Sequence, residues 1–98
     1  MKQLTPYDFL ALQVITEFPG VAIRGLHELV NWRIRAWDIP SSYATVTEDK
    51  TAMENSIRRL RDVKLVNKDI LVPTAMTQPF WAVIGTEWEG FTYYVPIL

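Results

Sequence analysis

The 98-residue chain contains no cysteine, one histidine and four glycines. Without cysteine it has no disulfide scaffold, thiolate zinc site or cysteine nucleophile. The glycines form no loop able to cradle a phosphate, and Ser41, Ser42 and Ser56 have no nucleophile-elbow setting. His27, the lone histidine, has no clustered carboxylates with which to share a metal, and its place on the polar side of a helix makes it a solvated or interfacial residue. The expectation is therefore a protein with no catalytic residue, no metal and no cofactor. No apolar window approaches the ~18 residues of a membrane span. The start, MKQLTPYDFL, does not read as a signal peptide, so a cytoplasmic protein is expected.

What is present is a globular balance: 49% of the residues are hydrophobic and 21% charged. With neither repeat nor linker, this reads as one domain over 1–98. The net charge of −1 hides an uneven spread. Residues 24–68 carry nine of the ten cations against six carboxylates, whereas 69–98 carry three carboxylates and no cation. Half of the twelve aromatics also fall in that last stretch.

Three helices are expected. Thr5-Pro6-Tyr7-Asp8 offers a capping hydroxyl, a proline at the first helical position and a carboxylate in the first turn, and Pro19-Gly20 ends the helix. Its polar residues beyond Asp8 form one stripe of Gln13, Thr16 and Glu17, so the helix belongs in the core or in a dimer interface. Val21-Ala22-Ile23 reads as a small strand. The second helix runs from Arg24 to about Trp37 on an apolar spacing of Leu26, Leu29, Val30, Ile34 and Trp37. The third is placed at 47–62, capped by Thr47, with Val46, Met53, Ile57 and Leu60 inward and Thr51, Asn55, Arg58 and Asp62 outward. Ile70-Leu71-Val72-Pro73 then suggests a strand, and 81–88 with 91–96 a hairpin about Glu89-Gly90.

The run Ser56-Ile57-Arg58-Arg59-Leu60-Arg61-Asp62-Val63-Lys64-Leu65-Val66 resembles the end of the third helix in winged helix-turn-helix regulators of the MarR and PadR kinds. The resemblance implies an α+β fold, a three-helix winged helix-turn-helix with a C-terminal antiparallel β-hairpin or small sheet. The chain departs from that pattern in three ways. Lys64 stands where the family turns out of the helix on a glycine, the stretch Asp38–Val46 exceeds a tight turn, and the hairpin presents Glu87 and Glu89.

On that basis the first functional expectation is a dimeric, duplex-DNA-binding transcriptional regulator. Asn55 and Arg58 would read base edges, beside Thr51, while Lys50, Arg59, Arg61 and Lys64 would hold phosphates. Arg33 and Arg35 would join them if they lie on that side. A net +3 on 45 residues supplies few phosphate contacts, which is why a homodimer is expected. The alternative is a protein-interaction module of an inhibitor or adaptor kind, using the acidic aromatic hairpin at Trp88, Glu89, Phe91 and Tyr93.

Overall fold

A computed structural model describes residues 4–77, and in them the chain folds as three helices: α1 (Pro6–Glu17), α2 (Ile23–Ala36) and α3 (Lys50–Asp62). The expected cap of α1 forms in full. The Thr5 side chain accepts from the Asp8 amide, and the Asp8 carboxylate accepts from the Thr5 amide, a reciprocal capping box behind Pro6. Every residue from Asp8 to Ile15 is buried, so α1 runs through the middle of the core and packs against both other helices. Gln13 is buried with them rather than lying on a polar stripe, and neither its Oε1 nor its Nε2 has a hydrogen-bond partner.

The other two helices are amphipathic and lay Leu26, Val30 and Ile34, and Met53, Ile57 and Leu60, onto α1. Both end in the same way. After α2, the Asp38 amide donates to Arg35 and the Ile39 amide to Ile34; after α3, Lys64 donates to Arg61 and Leu65 to Leu60. These are paired Schellman bonds, with Ile34–Ile39 and Leu60–Leu65 as the buried apolar partners. The left-handed residue is Asp38 at φ 50° in one case and Lys64 at φ 64° in the other. The chain therefore leaves the helix at Lys64 in the left-handed form without the glycine that would make it easy.

The α+β expectation is overturned: the described residues contain helices and no strand, and this part of the fold is all-α. Val21 and Ala22 are connector, and Ile23 already belongs to α2. The run at 70–73 makes only a single antiparallel bridge, Val66 to Pro73. The reason is local. The Asn67 side chain accepts from the amides of Asp69 and Ile70, the Asn67 amide donates to Val72, and Val72 donates back to Ile70. The Asn67–Val72 bond and a bond from the Thr74 amide to the Leu65 carbonyl make the bridge itself; the amides of Asp69, Ile70 and Val72 are consumed inside the tight turn, and Pro73 has no N–H to extend the pairing. The hairpin over 81–96 lies outside the described residues.

The third helix also starts later than its sequence suggests. Asp49, not Thr47, caps it by accepting from the Thr51 amide, and the connection from α2 is the long segment 37–49. That bond holds the Asp49 carboxyl below the ordinary carboxylate range. Its help to α3 is therefore present above the unfolded carboxylate pKa and fades as pH falls through the lowered folded value. No helix among the described residues is long and apolar enough to cross a membrane.

Two stability changes follow from this packing. Lys64→Gly should raise the unfolding free energy by about 1 kcal/mol in urea denaturation, because it relieves a left-handed non-glycine residue. No gain there would show that Lys64 is unstrained. Gln13→Met should also stabilise, by about 1–2 kcal/mol, since it exchanges an unpartnered buried amide for an apolar chain of similar volume. A loss of stability instead would place a polar partner beside Gln13.

Candidate functional site

The N-terminus of α1 is tied to α3 by one buried carboxylate. Asp8 is completely buried. Its two oxygens accept from Arg59 Nε at 2.8 Å and Arg59 Nη2 at 2.9 Å, a bidentate fork. Ser56 Oγ donates to the same carboxylate at 2.5 Å, and the Thr5 amide adds a fourth bond from the capping box at 2.9 Å. A buried charge tolerates removal from water only when its lone pairs are filled in this way. The pairing is reciprocal: the hydrogen bonds from Asp8 hold the Arg59 guanidinium more firmly protonated than usual.

A second knot fixes the long connection. The Asn31 amide group bonds both backbone groups of Thr47, donating to its carbonyl at 2.7 Å and accepting from its N–H at 3.1 Å. His27 Nε2 lies 2.7 Å from the same carbonyl. A carbonyl can only accept, so Nε2 carries the imidazole proton, and the nearby Asn31 Nδ2 is a neighbouring donor rather than a partner. The Thr47 hydroxyl also meets the Tyr7 phenol at 3.0 Å. Burial lifts Tyr7 above its ordinary pKa, with the Thr47 bond pulling the other way. His27 is thus a structural clamp, not a solvated residue, and Thr47 serves the connection rather than the helix.

Between the two knots lies an open cleft of about 380 Å³. Its walls are formed by Thr5, Tyr7, Ser41, Tyr43, Thr45, Thr47, Asn55 and Arg59, together with Ala44 and Ala52. The lining offers donors and acceptors around a guanidinium whose charge is already matched by Asp8. Among the described residues, no three His, Asp or Glu side chains converge as a metal would require.

The seven residues expected at DNA separate into two groups. Lys50, Thr51, Arg58 and Lys64 are exposed, so the outward edge of α3 is open. Asn55 is half-buried in the cleft wall. Arg59 is bound to Asp8, and Arg61 donates through Nε to the Asn67 carbonyl. Arg33 is not available to phosphate either: it is buried, paired with Glu17 and stacked over Trp37 at 5.0 Å from the ring centroid, whereas Arg35 is exposed. Three arginines of the basic middle are therefore fold components. Trp88, Glu89, Phe91 and Tyr93 lie outside the described residues.

The sequence also passes over a set of apolar residues that the fold leaves outside. Phe18, Trp32, Ile70 and Met76 are each about half exposed or more, from 49% to 58%. A bond from the Gly20 amide to the Leu71 carbonyl, 2.7 Å, brings the Phe18-Pro19 turn beside the loop that carries Ile70. Gly20 makes this approach at φ 85° with open space where a side chain would project. Phe18 follows the last apolar position of α1, and that end-of-helix placement is the sequence signal for its exposure.

Breaking the Asp8 knot should be costly. Asp8→Ala is expected to lower the unfolding free energy by about 3–5 kcal/mol, since it strands Arg59 and Ser56. Arg59→Ala should cost most of that too, and the double variant little more than Asp8→Ala alone, in urea-denaturation cycles. Additive losses would show that the pair is not coupled. Compared with protein-family models, curated proteins and solved structures, the chain finds no match in any of the three.

Proposed function

We propose that the chain is a small helical protein-interaction module of the cytoplasm, which docks a partner protein through the apolar pole formed by the Phe18-Pro19 turn and the Ile70 loop. The observation that carries this reading is the Gly20–Leu71 backbone bond, which fixes two exposed apolar turns side by side. Clustered apolar surface is what a protein partner can desolvate, and aromatic side chains such as Phe are enriched in interface cores.

The charge distribution supports the same reading. Eight exposed carboxylates stand against six exposed cations among the described residues. Three further arginines are engaged within the fold. Phosphate contacts need a local excess of cations, and counterion release grows with the number neutralised. Taken as a whole, the described surface has no such excess.

Duplex binding is the second reading, favoured by one observation: Lys50, Thr51, Arg58 and Lys64 are all open on or just beyond α3. Its base contacts reduce to Thr51 and Arg58, with Asn55 turned to the cleft wall and Arg59 removed. In this form it keeps the expected recognition helix but not the winged sheet.

One experiment separates the two. A photo-crosslinking residue is placed at position 18, 70 or 58 of the full chain, in cells of its source. Positions 18 and 70 should give adducts to one common protein, and position 58 should give none to nucleic acid. Nucleic-acid adducts at 58, with no protein adducts at 18 and 70, would overturn the module in favour of the duplex reading.

A further inference from the structure

The cleft between the two knots has three sides: the start of α1, the segment 41–47 and one face of α3. On α3 that face is Ala52, Asn55 and Arg59, spaced by three and four so that they follow one another along one side of the helix. The segment opposite is anchored at both ends. The amides of Tyr43 and Ala44 donate to the Pro40 carbonyl, Ala44 is buried, and Thr47 is held by Asn31 and His27. The walls are therefore positioned before anything enters, which lowers the ordering cost of binding. About 380 Å³ is room for one small molecule.

The chemistry of the walls says which kind. None of the described lining residues is a carboxylate, so a cation finds no counter-ion. Arg59 is the one cation among them, and its charge already faces Asp8. Glu48 and Asp49, exposed and next along the chain from Thr47, repel an anion further. A neutral ligand is left. The side chains of Ser41, Thr45 and Asn55 make no hydrogen bond to a described residue, and the fork to Asp8 uses only Nε and Nη2 of Arg59, leaving Nη1. Hydroxyls and the amide both donate and accept, while Nη1 only donates. These groups lie on two facing walls, the loop and α3. A nucleobase carries its donors and acceptors along a planar edge, whereas a sugar ring carries hydroxyls around its whole rim. Tyr7 and Tyr43, both half-buried, also line the cleft. An aromatic ring is electron-rich on its face, which suits the C–H side of a pyranose.

We infer that the cleft binds one neutral pyranose unit, free or at the end of a glycan, whose hydroxyls bond Asn55 and the Arg59 Nη1 edge on one wall and Ser41 and Thr45 on the other. The cleft adjoins the first turn of α1 and the Phe18–Ile70 pole its far end, so the sugar site stands or falls independently of what docks at that pole.

Titration of the full chain with D-glucose, D-galactose, D-mannose and N-acetyl-D-glucosamine, each also as its methyl glycoside, tests it by proton–nitrogen NMR. At least one sugar should bind with a dissociation constant of about 1 mM, moving the Asn55 side-chain amide and the backbone amides of Ser41 and Thr45. Equal binding of its methyl glycoside identifies a glycan end, and loss with the glycoside identifies the free sugar. Ala52→Leu, which fills the cleft and removes no polar group, should abolish binding. Asn55→Ala should weaken it about tenfold, and Arg35→Ala on α2 should leave it unchanged. Should Ala52→Leu fail to fold, Thr45→Ala replaces it and should weaken binding as Asn55→Ala does. The proposal is overturned if no sugar moves those resonances at ~50 mM, if the folded cleft variants bind as the wild type does, or if inorganic phosphate or adenosine binds there more tightly than every sugar.

Discussion

The Asp8 carboxylate is the constraint on which the rest of this structure depends. It closes the first turn of α1, receives the Ser56 hydroxyl and holds both donor edges of Arg59, while being completely buried itself. Coulomb attraction at such a separation is strong only because water is excluded, and the same exclusion makes any missing partner expensive. The carboxylate therefore fixes α3 against α1 in rotation as well as in distance. That rotation decides which side of α3 faces outward, and so which of its charges a partner can reach.

A consequence is that cations adjacent in sequence have unrelated roles. Arg58 projects into solvent, while Arg59, one position on, belongs to the core's electrostatics. Arg33 and Arg35 divide in the same way, one buried against Glu17 and Trp37, the other exposed. The basic middle of the chain is thus spent partly on its own cohesion. What remains at the surface of the described residues is a near-balanced charge pattern interrupted by apolar side chains. The Thr47 knot adds to this rigidity: Asn31, His27 and Tyr7 secure a connection that contains no helix or strand.

Local signals in the sequence were readable where the physics is local. The capping box at Thr5 and Asp8, the three helices and the inward row of Met53, Ile57 and Leu60 all follow from neighbours within a few positions. Thr47 and Asp49 are both capable caps, and only the three-dimensional demand on Thr47 from Asn31 and His27 leaves Asp49 as the one used. The apolar run at 70–73 has strand composition, yet Asn67 diverts its backbone bonds. Asp8 with Arg59 lies furthest from legibility: they are 51 positions apart, and nothing local marks which of three nearby arginines will be captured. Within the expected DNA-contact set, Arg59 is bonded to Asp8 and Arg61 to the Asn67 carbonyl, while Lys50, Thr51, Arg58 and Lys64 stand open.

The central claim, that Arg59 is a fold component while its neighbour is a surface group, is most directly measured by NMR exchange of the arginine side-chain Nε–H protons. The account predicts a slowly exchanging Arg59 Nε–H with a resonance shifted by its carboxylate partner, beside an Arg58 Nε–H that exchanges as freely as in a short peptide. Equal and rapid exchange at both positions would contradict it, because Arg59 would then be released from Asp8.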